Sequence, residues 1–211
     1  ALFATQDTAE EALRLLQAQD FFAGSQVLGI QPLPDQDWVR LTQSQFAPVA
    51  ITDDFWIVPS WHETPAQAKH LIRLDPGLAF GTGTHPTTCM CLRWLARHPD
   101  VRNARVLDYG CGSGILAIGA AQFDASLIDA VDIDPAAVTA TNDNASNNAV
   151  SVRCGLPDMV EPAQGGYNIV LANILASPLK VLAPLLCAHV APGGHLVLAG
   201  ILERQTQELQ Q

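Results

Sequence analysis

The 211-residue sequence is poor in charge, poorer still in basic residues, and has no long apolar run. Only 15% of its residues are charged while 48% are hydrophobic, which excludes a disordered or fibrous chain and implies a well-buried globular interior. Lys and Arg number 11 against 21 Asp and Glu, so the clustered cations that nucleic-acid phosphates demand are missing. A net charge of −10 suits a basic partner, or serves only solubility. No apolar stretch is long enough to span a bilayer, and no basic start with an apolar run and cleavage site marks the chain for export. Cys89, Cys91, Cys111, Cys154 and Cys187 form an odd, scattered set, which argues against a disulfide framework and for a reducing compartment. A cytoplasmic monomer with no nucleic-acid or membrane partner is therefore expected. Cys89 and Cys91 lie two apart on a predicted helix and point to different faces, and the six histidines form neither an HxxxH nor an HExxH pair. No metal is expected on those grounds.

The length allows one substantial core plus a smaller appendage. Thr8 three residues ahead of Glu11 is a capping-box pattern, and Ala12, Leu13, Leu15 and Leu16 follow at helical spacing, which predicts a helix from Thr8 to Gln19. The run Gln26 to Ile30 reads as a strand closed by Pro32 and Pro34. One helix and one strand cannot bury a core, so residues 1–35 are read as the remnant of a small α+β domain. Residues 36–65 carry Trp38, Phe46, Phe55, Trp56 and Trp61 between prolines and are read as an interdomain connector whose aromatics pack the two domains together. Over residues 66–211, apolar runs at 105–109, 127–133, 167–172 and 195–199 alternate with helical stretches near 113–122, 135–148 and 176–189. This predicts an α/β fold with a Rossmann-like, doubly wound, mostly parallel sheet and helices on both faces. Ile201 to Gln211 reads as an opening helix, so more sequence is expected beyond both ends of this one.

Chemistry concentrates where predicted strands end. Val106 to Leu116 is a buried strand that breaks into Gly110, Gly112 and Gly114 and then a helix, a loop whose bare backbone can approach a ligand. The spacing is GxGxG rather than the dinucleotide GxGxxG, and Asp108 two residues before the first glycine would repel a pyrophosphate. An acid there suits S-adenosylmethionine, which carries a sulfonium and an α-ammonium. Asp132, 18 residues past Gly114 at the end of the next strand, can accept both ribose hydroxyls, whereas Asp134 directly before Pro135 is read as a helix N-cap. Upstream, the loop from Leu74 to Thr88 offers Phe80, Gly81, Thr84 and Thr88 as contacts of a lid over the cofactor's methionine end. Its hydroxyls could also merely cap the helix that Pro86 starts. Asn173 closes the strand at 167–172, where an amide oxygen can accept a hydrogen bond from an amine and aim its lone pair while Ile174 and Leu175 exclude water; an ordinary turn residue is the plainer alternative.

The segments Leu74 to Thr88, Asp108 to Gly114, Asp132 to Pro135 and Asn173 to Ala176 together closely resemble the bacterial ribosomal protein L11 methyltransferase family. The first and last are more specific than the glycine loop. The resemblance implies a seven-strand class I methyltransferase core, S-adenosylmethionine as methyl donor, and ribosomal protein L11 as substrate, methylated on lysine side chains and possibly its N-terminal amine. Carried across by position, it implies cofactor contacts at Thr88, Gly110, Asp132 and Asn173. A same-fold enzyme acting on RNA, another protein or a small molecule, a nicotinamide-dependent oxidoreductase, and a non-catalytic binding module stay open as alternatives.

Overall fold

The computed structural model describes residues 3, 5–22, 24–30, 46–75, 83, 85–161 and 165–205. Packing divides the chain into two compact units, Ala1–Gln45 and Phe46–Gln211. In the first, helix α1 spans Gln6–Gln17 and begins earlier than Thr8. The capping box is Thr5 with Thr8, not Thr8 with Glu11: Thr5 Oγ1 accepts the Thr8 N–H, and Thr8 Oγ1 accepts the Thr5 N–H, each at 3.3 Å. A hydroxyl three residues on closes the box as a carboxylate would, and the helix gains residues by starting at the earlier cap. Residues 26–30 correct a second expectation, because they form no strand. No described residue pairs with them, and Leu28 is 92% exposed.

The second unit holds two sheets. Strands β1 (Val49–Ala50), β2 (Phe55–Val58) and β3 (His70–Arg73) form a small one in that order, antiparallel then parallel. The large one contains β4 (Arg105–Tyr109), β5 (Leu127–Val131), β6 (Arg153–Gly155), β7 (Tyr167–Asn173) and β8 (Val190–Ala199), all parallel, in the order β6-β5-β4-β7-β8. The helices are α2 (Pro86–Arg97), α3 (Ile115–Gln122), α4 (Pro135–Asn147) and α5 (Ala176–His189). Among the described residues none of the helices is long and apolar enough to cross a membrane.

Strand side chains alternate between two cores. Val106, Ile128, Ile169 and Leu171 pack with Leu92 and Leu95 of α2 and with Leu116 and Ile118 of α3. Leu107, Tyr109, Val131 and Val170 pack on the other face with Leu179 and Leu186 of α5. Burial on both faces explains why β4, β5 and β7 read as continuous apolar runs. Phe55, which the sequence placed in the connector, belongs to the second unit. It is fully buried in the second unit's own core, edge-on to Phe123 at 5.1 Å and to His70 at 6.4 Å.

Two carboxylates lie inside this apolar sandwich, Asp108 on β4 and Asp129 on β5. Asp129 on β5 is fully buried and accepts 2.6 Å hydrogen bonds from Arg153 Nε and Nη2 on β6 and from the Tyr167 hydroxyl on β7. The phenol thus reaches past the central strand, and burial followed by the carboxylate itself holds its pKa above the usual tyrosine value. Tyr167→Phe removes a hydrogen bond to a charged group and should cost about 1.5–3 kcal/mol of stability. Urea denaturation of the two proteins checks this; equal midpoints would show the contact to be idle.

Candidate functional site

The strand order fixes where a ligand can sit. From β4 the chain moves outward to β5 and β6, then returns to lay β7 on the other side of β4. In open α/β sheets the crevice forms outside the carboxyl ends at such a reversal. Asp108 of β4 pairs with Leu171 of β7, so the glycine loop and Asn173 leave the sheet at nearly the same level.

Gly110 has φ +80°, Gly112 +56° and Gly114 +76°, the left-handed region that suits glycine. At Gly110 there is a second demand, because a Cβ would lie 2.5 Å from Ile174 Cγ2. The loop is anchored by its own neighbours: Gly110 and Cys111 donate their N–H groups to Val131 O at 2.8 and 3.1 Å. Asp132 Oδ2 accepts the Gly112 N–H at 2.9 Å and its Oδ1 accepts the Asp134 N–H at 3.0 Å. The half-buried Asp132 therefore sits beside the glycine turn, and each carboxylate oxygen has a further lone pair to offer. Asp134 caps α4 as its place before Pro135 suggests, accepting the Ala136 N–H at 2.9 Å.

Asp108 is buried, on the face toward α3, and its Oδ2 accepts the Ala117 N–H at 3.0 Å. Burial pushes its carboxyl up to about 7, opposed by that amide and reinforced by the negative charge of Asp132. A raised pKa favours the neutral acid, and a rise in pH or a nearby cation favours the carboxylate.

The two other motifs meet across 85 residues of sequence. Asn173 Nδ2 donates to Thr88 Oγ1 at 3.2 Å, joining the end of β7 to the first turn of α2. Thr88 is buried and Asn173 half-buried. The cap of α2 is not a threonine but His85, whose Nδ1 accepts the Thr87 N–H at 3.3 Å. Phe80, Gly81 and Thr84 lie outside the described residues. Sequence reading passed over Ile133, 82% exposed after β5, and Leu156, half of it exposed after β6; with Leu175, 74% exposed after β7, they place apolar side chains at successive strand ends. An apolar residue directly after a strand-end acid was the available signal at 133. A cleft lined by Ile51, Asp54, Trp56, Arg97 and Phe123 shares no residue with this crevice and brings none of these motifs together.

A parallel sheet with a glycine turn, a strand-end acid and a strand-end asparagine around its reversal point defines the Rossmann-like methyltransferase class. A solved ribosomal protein L11 methylase from Lactobacillus delbrueckii subsp. bulgaricus superposes with a TM-score of 0.70 at 33% identity, over 78% of this chain and 86% of that one. The family profile of ribosomal protein L11 methyltransferase (PrmA) matches residues 1–211, and the chain belongs to that family. Proteins named ribosomal protein L11 methyltransferase from a Polaromonas species and from Thiobacillus denitrificans are 68% and 52% identical to it. Each alignment takes in 99% of this chain, which spans 70% and 69% of those two proteins and 61% of a Bordetella parapertussis relative.

Proposed function

We infer that this chain carries the catalytic core of an S-adenosylmethionine-dependent methyltransferase that modifies amino groups, those of lysine side chains included, on ribosomal protein L11. The observation that carries the reading is the Asn173–Thr88 hydrogen bond set against the Gly110 turn at the reversal point of the sheet. Bound there, S-adenosylmethionine would supply a methyl group on a sulfonium, an electrophile for a neutral amine. Asp132 offers acceptors to the ribose hydroxyls, Ile133 and Leu156 offer apolar surface to the adenine, and the glycine turn lets backbone come close where a Cβ would collide.

A lysine amine at neutral pH is protonated, and freeing its lone pair costs roughly 4–5 kcal/mol in water. Apolar Ile174 and Leu175 disfavour the ammonium and so reduce that cost. With Nδ2 turned to Thr88, the acceptor Asn173 presents to an amine N–H is Oδ1, which orients the nitrogen for in-line attack. The net charge of −10 favours encounter with a basic ribosomal protein. The free cysteines suit a reducing cytoplasm, where ribosomal proteins are found.

The decisive experiment incubates the full-length protein with isotope-labelled S-adenosylmethionine and ribosomal proteins, followed by mass spectrometry. Label on amino groups of L11 is expected; label confined to RNA or to other proteins would replace this substrate. Asp108 adds a pH signature. A cationic ligand lowers the pKa that burial had raised, so binding releases a proton, and affinity should rise as the pH climbs toward about 7 and level off above it. The demethylated product has one positive charge fewer and should show a shallower slope. Calorimetric titration across that range, repeated with Asp108→Asn, is the check: the variant should be flat, and a flat wild type would remove Asp108 from cofactor binding.

A further inference from the structure

We propose that His98, Asp100 and His195 form a binding site for a divalent transition-metal ion of zinc type, at the end of α2 remote from the crevice. His98 ends α2, Asp100 sits in the 3-10 turn Pro99–Val101, and His195 comes from β8. Their ligand atoms converge: His195 Nε2 lies 3.4 Å and His98 Nδ1 3.8 Å from the same oxygen, Asp100 Oδ2, and all three atoms fall within 4.8 Å of one another. Ligands held about 2.0–2.1 Å from a tetrahedral zinc stand roughly 3.4 Å apart, so small side-chain rotations close the site.

The second observation is an unmet polar atom. His98 Nδ1 is buried and has no hydrogen-bond partner among the described residues, because the 3.8 Å to Asp100 is too long for one. A buried imidazole nitrogen without a partner carries an uncompensated desolvation cost, which a metal bond would remove. The ring is also held in place for the task. Trp94 of α2 stacks on His98 at 4.3 Å with an interplanar angle of 22°, and the His195 ring stands edge-on to His98 at 4.4 Å. His195 Nε2 already hydrogen-bonds this oxygen at 3.4 Å, so a cation shared by the three groups would replace that contact and also give His98 Nδ1 a partner.

The donor set selects the ion. Two imidazoles and one carboxylate match zinc and its neighbours, whereas magnesium and calcium seek oxygen ligands throughout. Asp100 and His195 are 64% and 37% exposed, so an ion can enter from solvent and keep water as its remaining ligand. Thr88, which touches Asn173, lies in the first turn of the same helix whose last residue precedes His98. The ion would pin the far end of α2 to β8 without entering the crevice, a clamp rather than a reagent.

The test uses full-length protein stripped with a chelator, titrated with Zn2+ against a chromophoric competitor, and loaded separately with Co2+. One equivalent of zinc, a zinc-dependent rise in melting temperature, and a cobalt spectrum lacking sulfur charge transfer are expected. Asp100→Asn changes an exposed side chain with little change of shape, and His195→Ala removes an imidazole. Each should weaken zinc binding by about 100-fold, given that even an outer-sphere partner is worth about 10- to 100-fold. Circular dichroism identifies any variant that fails to fold, and the exposed Asp100→Asn then carries the comparison. Absence of stoichiometric zinc in the wild type, unchanged affinity in folded Asp100→Asn, or a thiolate band from cobalt would each overturn the assignment.

Discussion

Asn173→Ala should lower the methyl-transfer turnover number by about 100-fold or more while leaving the protein folded, since misplacing a reacting group by about 1 Å costs on that order. The side chain ends a strand whose backbone is already paired with β8 through Asn173↔Ala199, so the alanine keeps the ladder. What disappears is the Oδ1 proposed to orient the amine and the Nδ2 bond to Thr88, and a lone hydrogen bond of this kind contributes only about 1 kcal/mol to stability. Activity and stability therefore separate. Steady-state transfer to L11 together with a thermal melt measures both, and a variant that turns over like the wild type would show Asn173 to be a turn residue after all.

Gly110→Ala should do the reverse and strike the fold and the cofactor site together. A non-glycine residue at φ +80° costs about 1–2 kcal/mol, and forcing a methyl to 2.5 Å from Ile174 Cγ2 adds about 1–3 kcal/mol of overpacking. Either the loop or Ile174 must yield, and both border the crevice, so affinity for S-adenosylhomocysteine should fall at least about tenfold, or about 1.4 kcal/mol. Gly193→Ala separates the two causes, because Gly193 has φ +77° yet nothing stands within 4 Å of its added Cβ. Denaturation and calorimetry of both variants should show the smaller loss, and no change in ligand affinity, at 193. Equal effects at the two positions would mean that the Ile174 contact is unimportant.

The elements that sequence reading located are those whose burial and punctuation agree. β4 ends where Gly110 turns, α4 starts at Asp134-Pro135, and β7 is apolar because both its faces are covered. β1, β2 and β3 escaped notice because strands of two to four residues are too short to show alternation, and prolines nearby suggested a connector. β6 escaped as three half-polar residues at the edge. β8 begins at Val190, ahead of the apolar run at 195, because Pro192 and the glycine pair after it read as a turn; a sheet edge tolerates a missing N–H. At the crevice, the positions of Asp132 and Asn173 at strand ends were legible in the sequence, but the residues they meet were not. That Thr88 meets Asn173, or that His98 and Asp100 meet His195, follows from tertiary packing that no local spacing encodes.

The reversal between β6 and β7 also has a consequence in time. A ribosome delivers β4, β5 and β6 before any of β7, so the nascent half-sheet leaves one flank of its central strand without a partner until residue 173 clears the exit. During that interval the crevice has a floor and a single wall, and no ligand can find a completed site there. The emerging chain must rely on its own hydrophobic faces, or on a chaperone, to keep that flank from pairing with a stranger.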